Sequence, residues 1–292
     1  MSNEAHDLHS APRSRAENLS EVDLVRFCSG ISAGGPLYEQ TVNEARFGLS
    51  RLLPILPSSG LENLEVLEVG AGSCLLCGYL ASKKLRVTAL EPLGPEFDFF
   101  TDLQARVLDF CRRNDIALKL IRKTGEQLDL SNQFDVAFTI NSLEHMREPL
   151  LTIDNMYRSL RSGGILLAHC PNYTVPLEVH FNILLVTRSK RFNAWLYRSR
   201  IKQDPRAWND LNFIRYIDLR RHLLHRGLNF EFNRLITRDL VLRLFNDQLF
   251  AQRMPLPVQV VGSVMKKFGL VNRLNLIPAR LQTPMEVLIR KS

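Results

Sequence analysis

The stretch Val66-Leu67-Glu68-Val69-Gly70-Ala71-Gly72-Ser73-Cys74 decides the fold. An apolar run reaches an acid, Glu68, and then breaks at two glycines. Leu75 to Leu80 follows with helical character, and a second apolar run, Leu85 to Leu90, ends on another acid, Glu91. Strand, glycine turn, helix and a second strand closing on a carboxylate make the nucleotide-cofactor half of a Rossmann-like sheet.

The 292-residue chain is long enough for one large domain, and its 45% hydrophobic content is that of a soluble globular protein. No apolar run approaches the ~18 residues that span a bilayer. The N-terminus lacks the basic cap and apolar core of a signal peptide. Five cysteines, an odd number, cannot all pair, and a reducing cytosol fits them. Cys74 and Cys77 have C-x-x-C spacing, but no second pair or His cluster completes a zinc site. Buried small side chains are the simpler reading of this pair than a thioredoxin-like one.

The net charge of +8 is unevenly spread. Residues 1–150 carry 15 Lys/Arg against 21 Asp/Glu, a net −6, while residues 151–292 carry 23 against 9, a net +14. A basic second half suits an anionic substrate, an anionic membrane surface or nucleic acid, and equally a solvated basic face.

Along the chain, residues 1–20 read as a disordered polar tail. Residues 21–60 read as an N-terminal helical cap, with helices from Glu21 and from Leu37 to Leu53, ahead of the main domain at 61–292. Strand and helix signals then alternate, as a helix-covered parallel sheet requires. Strands are expected near 65–69, 86–91, 118–121, 134–140 and 165–170. Helices are expected over 95–114, where Phe99, Leu103, Val107 and Phe110 have helical spacing, and from Pro149 to Gly163-Gly164. The rhythm breaks in two insertions, about 171–215 and 238–283, separated by a helix at 217–226 and a strand at 229–236. A last strand closes the chain at 285–290.

The cofactor follows from what the turn lacks. A dinucleotide fingerprint places a third glycine where Leu75 stands, and no Gly-Lys-Ser/Thr follows to make a P-loop. Glu68 ahead of the turn repels pyrophosphate and suits a cation. Glu91, at the end of the second strand, can accept hydrogen bonds from both hydroxyls of a ribose. A ligand with a ribose, a positive charge and no phosphate is S-adenosyl-L-methionine.

In these residues the chain resembles the class I S-adenosylmethionine-dependent methyltransferases, especially the group that includes the ubiquinone-biosynthesis O-methyltransferases. Four motifs carry the resemblance: Glu68-x-Gly70-x-Gly72, Glu91, Thr124-Gly125-Glu126-Gln127-Leu128, and Phe134 to His145 with its Leu143-Glu144-His145 end. Cys74 departs from the family's third glycine. The resemblance implies a seven-stranded, mostly parallel sheet with an antiparallel last strand and helices on both faces. It implies that the amides of Gly70, Ala71 and Gly72 face the cofactor and that Glu91 binds its ribose. It places Thr124, Gly125 and Glu126 around the adenine, and Asn141, Ser142 and Leu143 beside the ligand. Some ubiquinone-type relatives hold a divalent ion with a further acid where this chain has Asn141. The loss of that acid argues against a metal.

Methyl transfer to oxygen requires an in-line acceptor and is helped by a general base. The resemblance makes the segment after the fifth strand the roof of the acceptor pocket. There His180 is the candidate base, Tyr173 and Glu178 are candidate pocket residues, and His145 stands beside them as a scaffold residue or an acceptor contact. Residues 188–226 are basic, with Arg188, Lys190, Arg191, Arg198 and Arg200 near Phe192, Trp195, Leu196 and Tyr197. This mix suits a membrane interface, or a lipid, glycan or phosphorylated acceptor, ahead of nucleic acid. A cytoplasmic enzyme peripheral to a membrane fits. Two other readings stay open: a regulatory protein that keeps the fold without turnover, and an RNA methyltransferase. The base-methylating Asn/Asp-Pro-Pro-Tyr/Phe motif is absent, since the chain reads Asn141-Ser142-Leu143-Glu144 there.

Overall fold

The computed structural model describes residues 19–92, 98–254 and 256–292. The tail expected at 1–20 lies outside the described residues except for its last two. Leu19 is buried, and the Ser20 hydroxyl accepts from the Asp23 amide to cap α1 (Glu21–Ser29). Helix α2 (Pro36–Leu52) starts with Pro36 at its first turn, where the missing N–H costs nothing.

The sheet begins with β1 (Glu65–Val69), α3 (Leu75–Ser82) and β2 (Arg86–Leu90). It continues through α4 (Asp98–Arg113), β3 (Leu118–Ile121), β4 (Phe134–Ile140), α5 (Pro149–Ser159) and β5 (Leu160–Cys170). Next come β6 (Leu177–Glu178) and β7 (Ile183–Leu184), a separate two-stranded hairpin, and the short helices α6 (Lys190–Leu196), α7 (Arg198–Ile201) and α8 (Pro205–Asp210). Helix α9 (Tyr216–His225) leads to β8 (Asn229–Phe232). Three helices, α10 (Ile236–Asn246), α11 (Gln248–Arg253) and α12 (Leu256–Lys267), precede the final strand β9 (Met285–Arg290).

The seven-stranded sheet has the order β3-β2-β1-β4-β5-β9-β8. Strands β1 to β5 pair in parallel, and β9 runs antiparallel between β5 and β8. The fold class is that expected from the sequence. Alternate residues serve opposite faces: Val66, Val136, Phe138 and Leu167 join the core under α1 to α4, while Leu67, Val69, Ala137, Leu166 and Ala168 join the core under α5 and α9. Burial on both faces explains why β1 and β4 read as near-continuous apolar runs. Helix α3, apolar all round, is buried from Leu75 to Ala81.

Three sequence boundaries are corrected. Helix α5 stops at Ser159, not at Gly163-Gly164, and β5 runs through both glycines. Gly163 has φ of +78° and the register slips between the Phe134–Leu160 and Val136–Ile165 pairs, so the glycines belong to a bulge. Strand β8 ends at Phe232, four residues short of the expected limit, because Asn233 turns the chain toward α10. The segment 238–283, read as irregular, is mostly helical. Helix α12 carries apolar residues on two faces, and that hides the single-stripe pattern by which a helix is recognised.

A buried ion pair ties the outer elements to the sheet. The Arg51 guanidinium of α2 donates to both Glu286 oxygens of β9, at 2.7 and 2.6 Å, and to Asp239 of α10 at 3.0 Å. Asn233 donates to Glu286 at 2.7 Å, and His169 of β5 lies 3.3 Å from it. These partners hold the Glu286 carboxyl far below the usual carboxylate range despite its burial. Removing one partner of a buried pair strands the other. Arg51→Met is therefore expected to lower unfolding stability by roughly 3–5 kcal/mol, measured by urea denaturation. A loss no larger than that of a surface arginine would show that water replaces the guanidinium at no cost.

Candidate functional site

Two clusters of residues meet outside the C-terminal ends of β1 and β4, where the strand order reverses. In open α/β sheets this is the ligand-binding crevice. The first cluster is the turn after β1. Gly70 and Gly72 have φ of +78° and +49°. A Cβ on Gly70 would lie 2.4 Å from that of Ser142, so only glycine fits there. The Ser142 hydroxyl donates to the Gly70 carbonyl at 3.0 Å and fastens the turn to the end of β4. The Gly70 and Ala71 amides donate back to the Leu90 carbonyl.

Glu91 accepts a hydrogen bond from the Gly72 amide at 2.8 Å. It thus stands directly after β2, held to the turn, and the amides of Gly70, Ala71 and Gly72, expected to face the cofactor, all donate inside the protein instead. Gln104 of α4, which sequence reasoning missed, donates to the Gly72 carbonyl at 2.7 Å, and its other side-chain atom, Oε1, is buried without a partner. Glu68 lies deeper. It is buried and accepts from the Cys77 thiol at 2.7 Å. Burial, with the Glu91 charge nearby and against the help of that thiol, raises its carboxyl to about 8. The C-x-x-C spacing therefore gives a thiol–carboxyl contact, and Cys74 and Cys77 are both free and buried. Cys74 has φ of +59° at the N-cap of α3. The left-handed conformation explains why a glycine is the ordinary residue there, and it costs a side-chain-bearing residue about 1 kcal/mol.

The loop expected near the adenine forms a single 3-10 turn, Gly125–Gln127, closed by a capping box between Thr124 and Gln127. A Cβ on Gly125 would lie 2.5 Å from Thr152 of α5, so this turn sits tight on that helix. Asn155 of α5 donates to the Gly125 and Glu126 carbonyls. Glu126 itself accepts from the Glu148 amide at 3.0 Å and caps the start of α5; despite partial burial, that and other amide contacts hold its carboxyl below the usual range.

The second cluster starts at Asn141. This residue has φ of +53°, and its side chain donates to Glu44 of α2 at 3.1 Å. The Leu143 side chain is fully buried in the core, so only its backbone reaches the crevice edge. Asn212, also missed from sequence, donates to the Leu143 and Met146 carbonyls at 2.8 and 2.7 Å and clamps this turn.

Against the turn lies the β6–β7 hairpin. Glu178 is fully buried and accepts from the His180 amide at 2.7 Å and the Tyr173 hydroxyl at 3.3 Å, and the His180 ring Nδ1 lies 2.7 Å from it. Glu178 and His180 meet because the chain turns tightly after β6. The His180 ring packs edge-on against His145, centroids 5.4 Å apart. Burial first, then the neighbouring His180, lowers His145 to about 4, so its imidazole is neutral near pH 7. Glu144 is buried with neither carboxylate oxygen hydrogen-bonded, and burial raises it to about 7. Glu144, His145 and His180 each place one ligand atom within 4.8 Å of the others. The sequence argument against a metal considered only Asn141. It did not foresee a third donor arriving from the hairpin.

A family profile described as "Methyltransferase domain" matches residues 67–168. An uncharacterized protein of Mycobacterium tuberculosis is 30% identical over 297 aligned residues, which cover 94% of this chain and 98% of that protein. The ubiquinone biosynthesis O-methyltransferase of Rickettsia typhi is 25% identical over 114 residues, 39% of this chain and 44% of that one. Among solved structures, Haemonchus contortus phosphoethanolamine N-methyltransferase 2 in complex with S-adenosyl-L-methionine is similar in fold. Its TM-score is 0.50 at 14% identity, over 97% of this chain and 60% of that one.

Glu68 gives the turn a testable pH signature. A carboxyl raised to about 8 in the folded chain binds its proton more tightly than in the unfolded chain, where its value is about 4.3. Its stabilising contribution is complete below the unfolded value and is lost as pH rises through about 8. Glu68→Gln, which keeps an acceptor for Cys77 and does not ionise, is expected to gain on the wild type as pH rises. The gain between about pH 5 and pH 8.5 is on the order of 3 kcal/mol, read from urea midpoints. A constant difference across that range would show an ordinary, solvated carboxylate.

Proposed function

The chain belongs to the class I S-adenosylmethionine-dependent methyltransferases, and we propose that it methylates an oxygen of a small-molecule, lipid or glycan-type acceptor held against His180. The observation that carries this reading is the Tyr173–Glu178–His180 group standing beside the glycine turn's neighbour, Ser142 to His145.

The residues at the turn fit the cofactor. The Glu91 carboxylate, held at the turn by the Gly72 amide, gives the crevice a negative charge that suits a sulfonium, while Glu68, buried and raised to about 8, keeps its proton near pH 7. The Glu91 carboxylate and the Thr124–Glu126 turn are the groups that would hold it, since the amides of Gly70 and Ala71 are given to the Leu90 carbonyl and that of Gly72 to Glu91. Bound there, S-adenosylmethionine supplies an electrophilic methyl on a leaving group that departs neutral. The chain's own residues then have two tasks, to align the acceptor and to take its proton. In this reading the His180 ring carries its hydrogen on Nδ1, toward Glu178, and its lone pair on Nε2. That nitrogen accepts the acceptor's hydroxyl proton as the new oxygen–carbon bond forms, and Glu178 stabilises the resulting imidazolium. Tyr173 fixes Glu178 from the other side.

Acceptor class is argued from the hairpin's surroundings. Between Val179 and Gln203 the chain has six Lys/Arg and no carboxylate. Leu184, Val186 and Trp195 are each more than 60% exposed on this same hairpin and the helix that follows it. An apolar, cationic approach to His180 suits a lipid or a phosphorylated acceptor better than a neutral sugar. No helix among the described residues is long and apolar enough to cross a membrane.

A second reading rests on the Glu144–His145–His180 group, whose two imidazoles and one carboxylate form a donor set for a divalent ion. It makes activity sensitive to chelators, whereas the base reading does not.

The cofactor claim is tested by calorimetric titration with S-adenosylmethionine. Glu91→Ala is expected to weaken binding by about tenfold or more, because each charge-assisted hydrogen bond is worth roughly 1.5–3 kcal/mol. Heat absent from the wild type would remove the claim. Transfer is tested with methyl-labelled cofactor added separately to a lipid extract, a soluble-metabolite extract and total RNA. Label is expected in the lipid or metabolite fraction. His180→Ala is expected to lower it by about 10²–10⁴-fold, and turnover unchanged across about pH 6–9 would take His180 out of the mechanism. Label in RNA alone would favour the nucleic-acid reading, and binding without transfer to any fraction would favour a regulatory protein.

A further inference from the structure

Helix α12 is apolar on two sides, and the described residues cover only one of them. On the inner side, Gly262 approaches α10 so closely that a Cβ there would lie 3.0 Å from Leu244, and Met265 packs against the Val241–Val271–Leu274 cluster. On the outer side, Leu256, Val260, Val264 and Phe268 recur every fourth residue, with Val261 beside them. All five are exposed, from 47% for Val264 to 71% for Leu256. Leu276, in the turn that follows, is 77% exposed. Residues four apart fall on one face of a helix, so this is a continuous stripe and not scattered apolar positions.

The charge around the stripe has one sign. Between Asp247 and Glu286 the chain holds five Lys/Arg and no carboxylate at all. Lys266 stacks on Phe245, its Nζ 4.1 Å from the ring centre, while Lys267 and Arg273 are exposed. A second copy meeting this face symmetrically would set cation against cation, whereas an anionic surface meets both the apolar stripe and the cations.

We propose that the outer face of α12 docks on an anionic lipid bilayer, with the Val260–Val264–Phe268 stripe in the interface and Lys267 and Arg273 against the headgroups. This is the arrangement of an interfacial amphipathic helix, in which apolar burial and electrostatic attraction act together. Helix α12 packs in the Val241–Val271–Leu274 cluster and α6 lies beside a different one, and the surface includes none of the candidate site residues, so it stands whether or not the proposed chemistry does.

The test is co-sedimentation of the full chain with phosphatidylcholine vesicles, and with vesicles containing equal parts of phosphatidylcholine and phosphatidylglycerol. The wild type is expected to sediment with the mixed vesicles only. The double variant Val264→Glu, Phe268→Glu is expected to lose about tenfold or more of that partitioning, while S-adenosylmethionine binding and the thermal midpoint stay as in the wild type. The charge variant Lys267→Glu, Arg273→Glu leaves the apolar packing untouched and is expected to lose binding in the same direction, with a weaker salt dependence. Trp195→Glu, on α6, is expected to retain it. The proposal is overturned if the wild type ignores both vesicles, or if the α12 variants bind as the wild type does. It is also overturned if binding is lost only with Trp195→Glu, or if the chain is a dimer that Val264→Glu turns into a monomer.

Discussion

Strand β1 is paired on both edges and covered on both faces, and the chain must leave it through a tight opening at Val69. The left-handed turn at Gly70 to Gly72 is the way out, and Ser142 from β4 and Glu91 from β2 hold it from two sides. The positions of β2, β4 and α3 are thereby fixed relative to one another. Everything proposed for cofactor binding follows from this one constraint, because Glu91 is held at the turn by the Gly72 amide.

The outer elements depend on a different kind of interaction. Helix α2, helix α10 and the closing strand β9 meet at the Arg51–Glu286–Asp239 group, which is buried and therefore demanding about its partners. It ties elements nearly the whole chain apart and holds α2 beside the end of β4, where Glu44 meets Asn141. The acceptor side is built in the same way. The hairpin carrying Glu178 and His180 is too small to be stable alone, and it rests on Asn193, which bonds to Val186 and Thr187, and on Tyr197, which bonds to Leu184. The chemistry proposed at His180 thus rests on packing in a segment whose sequence shows no periodicity.

The legible parts of the sequence were those governed by local rules. Glycines between an apolar strand and an apolar helix, an acid after the next strand, and alternating elements pointed to the helix-covered sheet and most of its strands, while the strand order came from the structure. Cys74 stood out as a departure, and the backbone supplies its reason: the position is left-handed, and a cysteine tolerates there what a glycine adopts freely. The misread parts had competing signals. Gly163-Gly164 looked like a helix stop and is a strand bulge, because glycine serves both. Residues 238–283 looked irregular because α12 is apolar on both sides, and a helix is recognised by contrast between its faces. Gln104 and Asn212 carried no signal, since a polar residue that fastens a distant carbonyl looks like any surface residue.

The sequence by itself determined the fold class, the position of the cofactor turn and the candidates Tyr173, Glu178 and His180, because strand alternation, glycine geometry and residue type are local properties. Only the tertiary structure decided what surrounds them. It set Glu178 against the ring edge of His180, brought Glu144 and His145 beside that pair, buried Glu68 on Cys77 and left one face of α12 exposed among the described residues. Each of these depends on which distant segment lies opposite, and burial, which sets both the charge state of a carboxyl and the availability of an apolar stripe, is a property of the packed chain.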